Sequence, residues 1–248
     1  MKQVSYFTLW NFDSMKAIFV IFIGIIFSTT ALAQKLDVGI GTVLSERRTY
    51  QTPVDLDSIV FFERDYLGSG QLMPFIRYTH PIKPYFDISF GMQIQSNSAG
   101  LTVEKRATDS TYLNSKLTAA YLKGFEFPIA GHYIFNQDED FQLSFFAGII
   151  PIINKVNFDD RFKEGPQYPA SVAEGLNKAG TLPKRFHMDY QVGGRLSYKR
   201  FNVDVYYQSN LTSNLNNNLE IWGSEFLFKR NTESVRLILS YSIPLFQN

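Results

Sequence analysis

Short stretches in which every second residue is apolar alternate along this chain with polar connectors. The beat is clearest at 85–94, YFDISFGMQI: Phe86, Ile88, Phe90, Met92 and Ile94 fall on one side, Tyr85, Asp87, Ser89, Gly91 and Gln93 on the other. Successive side chains of a strand point to opposite faces, so each such stretch predicts a strand with one apolar and one polar face. Eight are read. The first lies near 35–45 (Leu36, Val38, Ile40 and Leu44 on one face) and the second near 70–80 (Leu72, Ile76 and Tyr78 outward). The third starts at Tyr85 and extends toward Lys105, and the fourth covers 119–135 with Phe125, Phe127, Ile129 and Tyr133 on one face. The fifth, near 140–151, carries Leu143, Phe145, Ala147 and Ile149; the sixth, near 187–199, carries Met188, Tyr190, Val192, Leu196 and Tyr198. The seventh, near 201–211, presents Phe201, Val203, Val205 and Tyr207, and the last, near 233–246, presents Val235, Leu237, Leu239, Tyr241 and Ile243.

The connectors alternate in length. Those at 46–69, 96–118, 152–186 and 212–232 are long, whereas His80-Pro81-Ile82-Lys83-Pro84, Asn136-Gln137-Asp138-Glu139 and Lys199-Arg200 are tight. An antiparallel up-and-down transmembrane β-barrel has this pattern, with short turns on the periplasmic side and long loops outside. An even strand number puts both termini in the periplasm. Ile59 to Phe62 and the stretches Glu220 to Trp222 and Phe226 to Phe228 read as extra strand or hairpin material, so ten strands is the alternative count. Residues 159–186, with Gly165, Pro166, Pro169, Gly175, Gly180 and Pro183, read as an outer loop.

What precedes the first strand reads as an address. Lys16 is followed by an apolar run through Phe27 and then Ala31-Leu32-Ala33, an A-x-A pattern that predicts cleavage before Gln34. The run is shorter than the about 18–20 apolar residues a membrane helix needs. Residues 1–33 are therefore expected to be a signal peptide, with Met15 the candidate true start, and 34–248 to be the barrel domain. Later apolar runs are shorter still, the longest being Phe145 to Ile153 with Gly148 and Pro151 inside it. A membrane reading therefore requires strands, because only helices and closed barrels satisfy every backbone hydrogen bond in lipid.

Composition sharpens this picture at three points. With 0 cysteines there is no disulfide framework, no thiolate metal site and no lipid-attachment cysteine, so any membrane attachment must come from the fold. The 24 Lys+Arg and 23 Asp+Glu lose Lys2, Lys16 and Asp13 with the signal, which leaves a formally neutral chain with no electrostatic draw to nucleic acid. Aromatic residues make up 16% of the chain, a content that the interfacial girdles of barrels favour. Tyr78, Phe86, Phe125, Tyr133, Tyr198, Phe201 and Tyr241, close to strand ends, are the expected girdle.

The polar parity of the same strands gathers charge. Arg77, Asp87, Glu126, Asp189, Arg195, Asp204 and Arg236 are expected to point into the lumen, joined by Lys35 and Asp37. Tyr206, Gln208, Gln191, Gln142, Ser144, Ser240 and Ser242 add neutral hydrogen-bonding groups. Eight strands leave an interior just wide enough for side chains to fill, and buried charges must be paired. A plug of salt bridges is expected rather than an open pore; an ion path through it is the alternative. Pro128, within the fourth strand, predicts a bulge, with a conformational seam as the functional alternative.

Motifs for chemistry are sparse. His80, His132 and His187 show no metal spacing, Asn157-Phe158-Asp159-Asp160 lacks the glycine and glutamate of a calcium loop, and no G-x-S-x-G or phosphate loop occurs. No metal and no cofactor are expected. His132 or His187 with a lumen serine would be needed for a Ser–His lipid hydrolase. Trp222, Phe226 and Phe228, on the last long connector, are the candidate partner surface.

Tyr121-Leu122-Lys123-Gly124-Phe125-Glu126-Phe127-Pro128-Ile129, with Phe146-Ala147-Gly148, Val192-Gly193-Gly194 and Val205-Tyr206-Tyr207, resembles the PorT-like outer-membrane β-barrel family, and more loosely OmpA- and OmpX-like barrels. The likeness spans most of the chain after residue 33. The last strand departs from it: Phe246 is followed by Gln247 and Asn248, whereas barrel assembly signals end on an aromatic residue. The resemblance implies an integral outer-membrane protein that meets outer-membrane lipid and the barrel-assembly machinery, with a secretion-accessory role through loops that contact secretion-system proteins. A small-solute channel or transporter is the alternative; a lipid-modifying enzyme and a secreted soluble barrel with reversed faces stand behind both.

Overall fold

Alternating apolar and polar side chains in a long antiparallel meander leave one way to bury the polar face without an exposed edge, which is closure into a cylinder. The computed structural model describes residues 34–51, 59–63, 72–98, 101–105, 121–136, 140–157, 184–214, 218–221, 224–227 and 229–245. Its strands are β1 (Lys35–Gln51), β2 (Ile59–Glu63), β3 (Met73–Lys83), β4 (Phe86–Ser98), β5 (Leu101–Lys105), β6 (Tyr121–Glu126), β7 (Ile129–Ile134), β8 (Phe141–Asn157), β9 (Phe186–Tyr198), β10 (Phe201–Asn210), β11 (Asn218–Ile221), β12 (Ser224–Leu227) and β13 (Lys229–Pro244). β6 and β7 share their neighbours and form one stave, so the staves β1, β3, β4, β6/β7, β8, β9, β10 and β13 make an eight-stranded antiparallel barrel. β1 closes it against β13, from Lys35 opposite Pro244 to Gln51 opposite Lys229. The ten-strand alternative is corrected: β2 pairs with β5 and β11 with β12, as separate two-stranded ribbons outside the barrel sheet. Residues 1–33, where a signal peptide is expected, most of 159–186, Trp222 and Phe228 lie outside the described residues.

Three expected boundaries shift. The first tight connector is shorter than its prolines suggest: β3 runs on to Lys83, through a register shift between Pro81 and Lys83, and the turn itself is Pro84-Tyr85. β1 and β8 extend well beyond the last apolar beat, to Gln51 and Asn157. β1 also carries a bulge between Val43 and Ser45, which changes its parity near Leu44. The Lys199-Arg200 turn is as tight as expected, with Lys199 at φ 54°.

Pro128 interrupts its stave without a bulge. The pairing partners on β4 and β8 keep the same register on both sides of the break: Gln93 opposite Glu126 and Phe90 opposite Ile129, Ile152 opposite Glu126 and Ile149 opposite Ile129. Two bonds bridge the break, Gly91 N–H donating to Pro128 C=O at 2.8 Å and Phe127 N–H to Pro151 C=O at 2.9 Å. Two ladder donors are missing, that of Pro128 and that of Pro151 opposite Phe127, since proline has no N–H. The ring points inward against Gly91, where a Cβ would lie 2.9 Å from Pro128 Cγ, so the absent side chain at 91 makes room for the proline.

The two faces are opposite in character. On β10, Asn202, Asp204, Tyr206 and Gln208 are buried while Phe201 and Val205 are 63% and 45% exposed. On β13, Ser234, Arg236, Ile238, Ser240 and Ser242 are buried while Leu239 is 48% exposed. The same inversion holds on β4 and β9. Polar side chains fill the interior and apolar ones cover the outside.

Aromatic rings crowd the turn end. Tyr85, Phe86, Tyr133, Phe135, Phe141, Tyr198 and Phe201 are exposed there, with edge-to-face pairs Tyr133–Phe135 and Phe201–Tyr241 at 5.4 and 5.3 Å. Two expected girdle members depart from the reading. Tyr78 keeps the outward parity but is buried, its hydroxyl 3.5 Å from His80 Nδ1. Phe125 is half-buried and belongs to the half of its stave away from the turns.

Candidate functional site

The inward parity builds a lumen in layers, and the arginines decide its structure. Nearest the turns, β1, β3, β9 and β10 each supply one charge to a single cluster. Arg77 donates from Nε and Nη2 to Asp37 Oδ2 at 3.1 and 2.9 Å, and from Nη1 to Asp204 Oδ2 at 2.7 Å. Arg195 donates from Nε to Asp204 Oδ1 at 2.7 Å, from Nη2 to Asp204 Oδ2 at 3.1 Å and from Nη1 to Asp37 Oδ2 at 3.2 Å. Ser242 on β13 donates to Asp37 Oδ1 at 2.5 Å. Both aspartates are 0% exposed, so an unpaired charge here would be very costly; two cations against two anions, each multiply bonded, remove that cost. Planar guanidinium forks suit this bridging, because one arginine can serve two carboxylates.

Farther toward the long connectors, Arg236 donates to Glu126 Oε2 at 2.6 Å, Gln95 Oε1 at 3.1 Å and Ser234 Oγ at 3.3 Å, and ties β13 to β6 and β4 across the barrel. At the end of the long connectors Asp189 is held by neutral amides, with Gln208 Nε2 at 2.7 Å and Asn210 Nδ2 at 2.8 Å, while His187 Nε2 stands 3.8 Å from Oδ1. Asn210 in turn accepts from Thr232 N–H at 2.6 Å.

Between the two arginine clusters an apolar cluster stands beside buried Ser89, His132 and Gln191. Phe75, Ala130, Phe146, Tyr206 and Ile238 pack together there, with Ile150 and Ile152. This cluster adds hydrocarbon to the buried salt bridges that parity leads one to expect. Phe146, Ile150 and Ile152 were hidden in the long apolar run of β8, where both faces are greasy and alternation is invisible.

Six of the seven expected lumen charges sit in these clusters. Asp87 keeps the inward parity but is half-buried at the turn end, apart from both arginine clusters. Gln95, Asn202 and Ser234 were missed, although the parity of β4, β10 and β13 points them inward. Phe226 lies on β12, its backbone opposite Leu219. No group of three or more metal-type ligands occurs among the described residues.

The histidines separate on inspection. Ser89 Oγ lies 2.8 Å from His132 Nε2, the contact a serine hydrolase would need. Both residues are buried, His132 packs on the Phe146 ring at 5.1 Å, and the cavity beside them is about 10 Å³, room for about one water. His187 faces Asp189 and Asn154, whose Nδ2 is 3.3 Å from His187 Nδ1.

No family model and no curated protein matches this chain. Solved structures resemble it in fold. The outer membrane protein OprG from Pseudomonas aeruginosa aligns over 86% of this chain and 96% of its own, at 6% identity and TM-score 0.42. Neisserial surface protein A aligns over 87% and 100%, at 10% identity and TM-score 0.43. The outer membrane protein AlkL, determined in DMPC lipid bilayers, aligns over 89% and 95%, at 11% identity and TM-score 0.45. The likeness is to outer-membrane β-barrels as a fold.

Proposed function

We propose that this chain is an integral outer-membrane β-barrel without enzymatic activity, plugged along its axis, whose long connectors contact partners outside. One observation carries the reading: residues of outward parity are apolar and exposed, while charges of inward parity are buried and bonded to one another. A barrel in water needs the reverse arrangement. In lipid the exposed hydrocarbon is at home and closure leaves no unpaired backbone edge. Within this reading, the finer role is the one the PorT-like resemblance implies, an accessory to protein secretion, with the barrel-assembly machinery and outer-membrane lipid as further partners and no cofactor. The layered plug supports an interaction barrel over a solute channel, because a path would have to pass the Arg77–Asp204–Arg195 cluster and then the Phe146–Ile238 layer. The enclosed Ser89–His132 pair supports a structural hydrogen bond over a nucleophile and base, since no substrate carbonyl fits beside it.

The test is expression with the complete N-terminal segment, isolation of outer membranes, and electrophoresis of unheated against boiled samples. A band in the outer-membrane fraction whose migration changes on boiling is the expected result. A soluble periplasmic protein would overturn the assignment.

A further inference from the structure

Three of the barrel's corners meet at the turn end, and their charges differ. The β3–β4 corner carries Lys83 beside Tyr85 and Phe86, and the β9–β10 corner carries Lys199 and Arg200 between Tyr198 and Phe201. Lys35 opens β1 between them, since the strand order around this arc is β10, β13, β1, β3. All four cations are exposed. The β7–β8 connector is acidic instead, with Asp138, Glu139 and Asp140 in sequence, and Lys199 N–H donates to the Asp140 carbonyl at 2.7 Å. Asp87 lies inward on β4, near Lys35.

The β9–β10 corner is the most developed. Lys199 takes φ 54°, the left-handed conformation of a two-residue turn, so that both cations stand at the tip. Lys199 Nζ lies 5.5 Å from the centre of the Tyr198 ring, a cation–π distance. Arg200 Nη1 donates to Tyr241 Oη on β13 at 3.2 Å, on the side away from Asp140, and Phe201 packs edge-on against the same Tyr241 ring at 5.3 Å. Exposed aromatic rings lie at the headgroup level of a bilayer, so cations fixed to those rings lie at phosphate depth. One hydrogen bond to a tyrosine leaves most of a guanidinium's donors free for an anion. Held in this way, the fork is ready for bidentate contact with a phosphate.

We infer that the Lys199–Arg200–Tyr241 corner is a docking site for the phosphate of an anionic glycerophospholipid, in the leaflet at the turn end. Lys83 and Lys35 extend its field along the arc. This inference rests on the membrane reading above. Its occupant follows from charge complementarity: two cations at headgroup depth, oriented by aromatic partners, select an anionic headgroup over a zwitterionic one.

The test uses the full chain in bilayer discs made from equal amounts of phosphatidylcholine and phosphatidylglycerol, with native mass spectrometry of the lipids retained on release. Wild type should keep phosphatidylglycerol in preference. K199Q/R200Q should lose roughly tenfold or more of that preference, the scale of two surface cations facing an anionic leaflet. Tyr241→Phe, which frees Arg200 but keeps the ring, should lose part of it. K184Q/R185Q, at the opposite end of the barrel, should change nothing. No preference in wild type, or an unchanged preference in both corner variants, would overturn the site. Heat-modifiable migration of each variant separates the two levels of inference. A protein that never inserts defeats the membrane reading, whereas an inserted barrel without lipid preference defeats only the docking site. Should K199Q/R200Q fail to insert, Tyr241→Phe decides.

Discussion

At the scale of single residues, the lumen obeys a sharp asymmetry. Arg236 bonds to Glu126 where both are buried, so Arg236→Ala strands a carboxylate in the wall of the barrel. A loss of about 3–5 kcal/mol is expected on breaking such a pair. Replacing both partners by hydrocarbon, Glu126→Leu with Arg236→Met, should recover most of it, because apolar replacement of a whole buried pair is often neutral. Urea unfolding of barrels folded in detergent or vesicles measures both; a double variant as unstable as the single one would contradict the pairing. Sequence parity was enough to place these charges in the lumen. It could not pair them, since Arg77 meets carboxylates 40 and 127 positions away, and such contacts depend on the diameter and shear of the closed barrel.

Elements were legible in proportion to their contrast. β4, β9, β10 and β13 alternate cleanly and start and stop near where alternation does. The middle of β8 is apolar on both faces, and its inward residues therefore escaped. Prolines misled twice, because the rule that proline weakens a strand says nothing about a strand that its neighbours hold on both sides of the proline. Pro81 sits inside β3 beside a register shift, and Pro128 splits β6 from β7 with no shift at all. Close stave packing makes its own prediction. At Gly148 a Cβ would lie 1.9 Å from the Ile129 carbonyl oxygen across the β7–β8 ladder. Backbone cannot yield as a flexible side chain can, so Gly148→Ala should cost at least the about 1–3 kcal/mol of ordinary overpacking. The same unfolding assay reads it, and a variant as stable as wild type would mean that the two staves sit farther apart.

Over the whole molecule, what matters is which solvent the outside was made for. Leu239 is 48% exposed near the middle of β13. On a water-soluble protein, Leu239→Arg would shift stability by no more than about 0.5 kcal/mol. On a barrel in lipid it should cost about 2–4 kcal/mol, the expense of arginine at the bilayer midplane. Comparing its unfolding in vesicles with that of an arginine at the exposed rim, such as Leu72→Arg, separates these outcomes: equal small effects would argue for water outside. A second property belongs to this scale. Planar bilayers containing the wild-type protein should show no steady conductance, and an ohmic channel would mean that the axial layers part in the membrane.

The seam between β1 and β13 has a consequence for how the molecule comes into being. The first and last staves of the barrel hold each other along their whole length, and Leu245 N–H reaches the Gln34 carbonyl at 3.0 Å. Until the final stave arrives, the ribbon has two open margins, each a row of unspent donors and acceptors, and its arginines lack part of their counter-charge. Half a barrel is thus not a smaller barrel. Synthesis stopped before Lys229 would yield a sticky sheet fit for proteolysis or aggregation. The joining of stave ends some 200 residues apart is then the slow, committing event of maturation, as expected where distant contacts must form last.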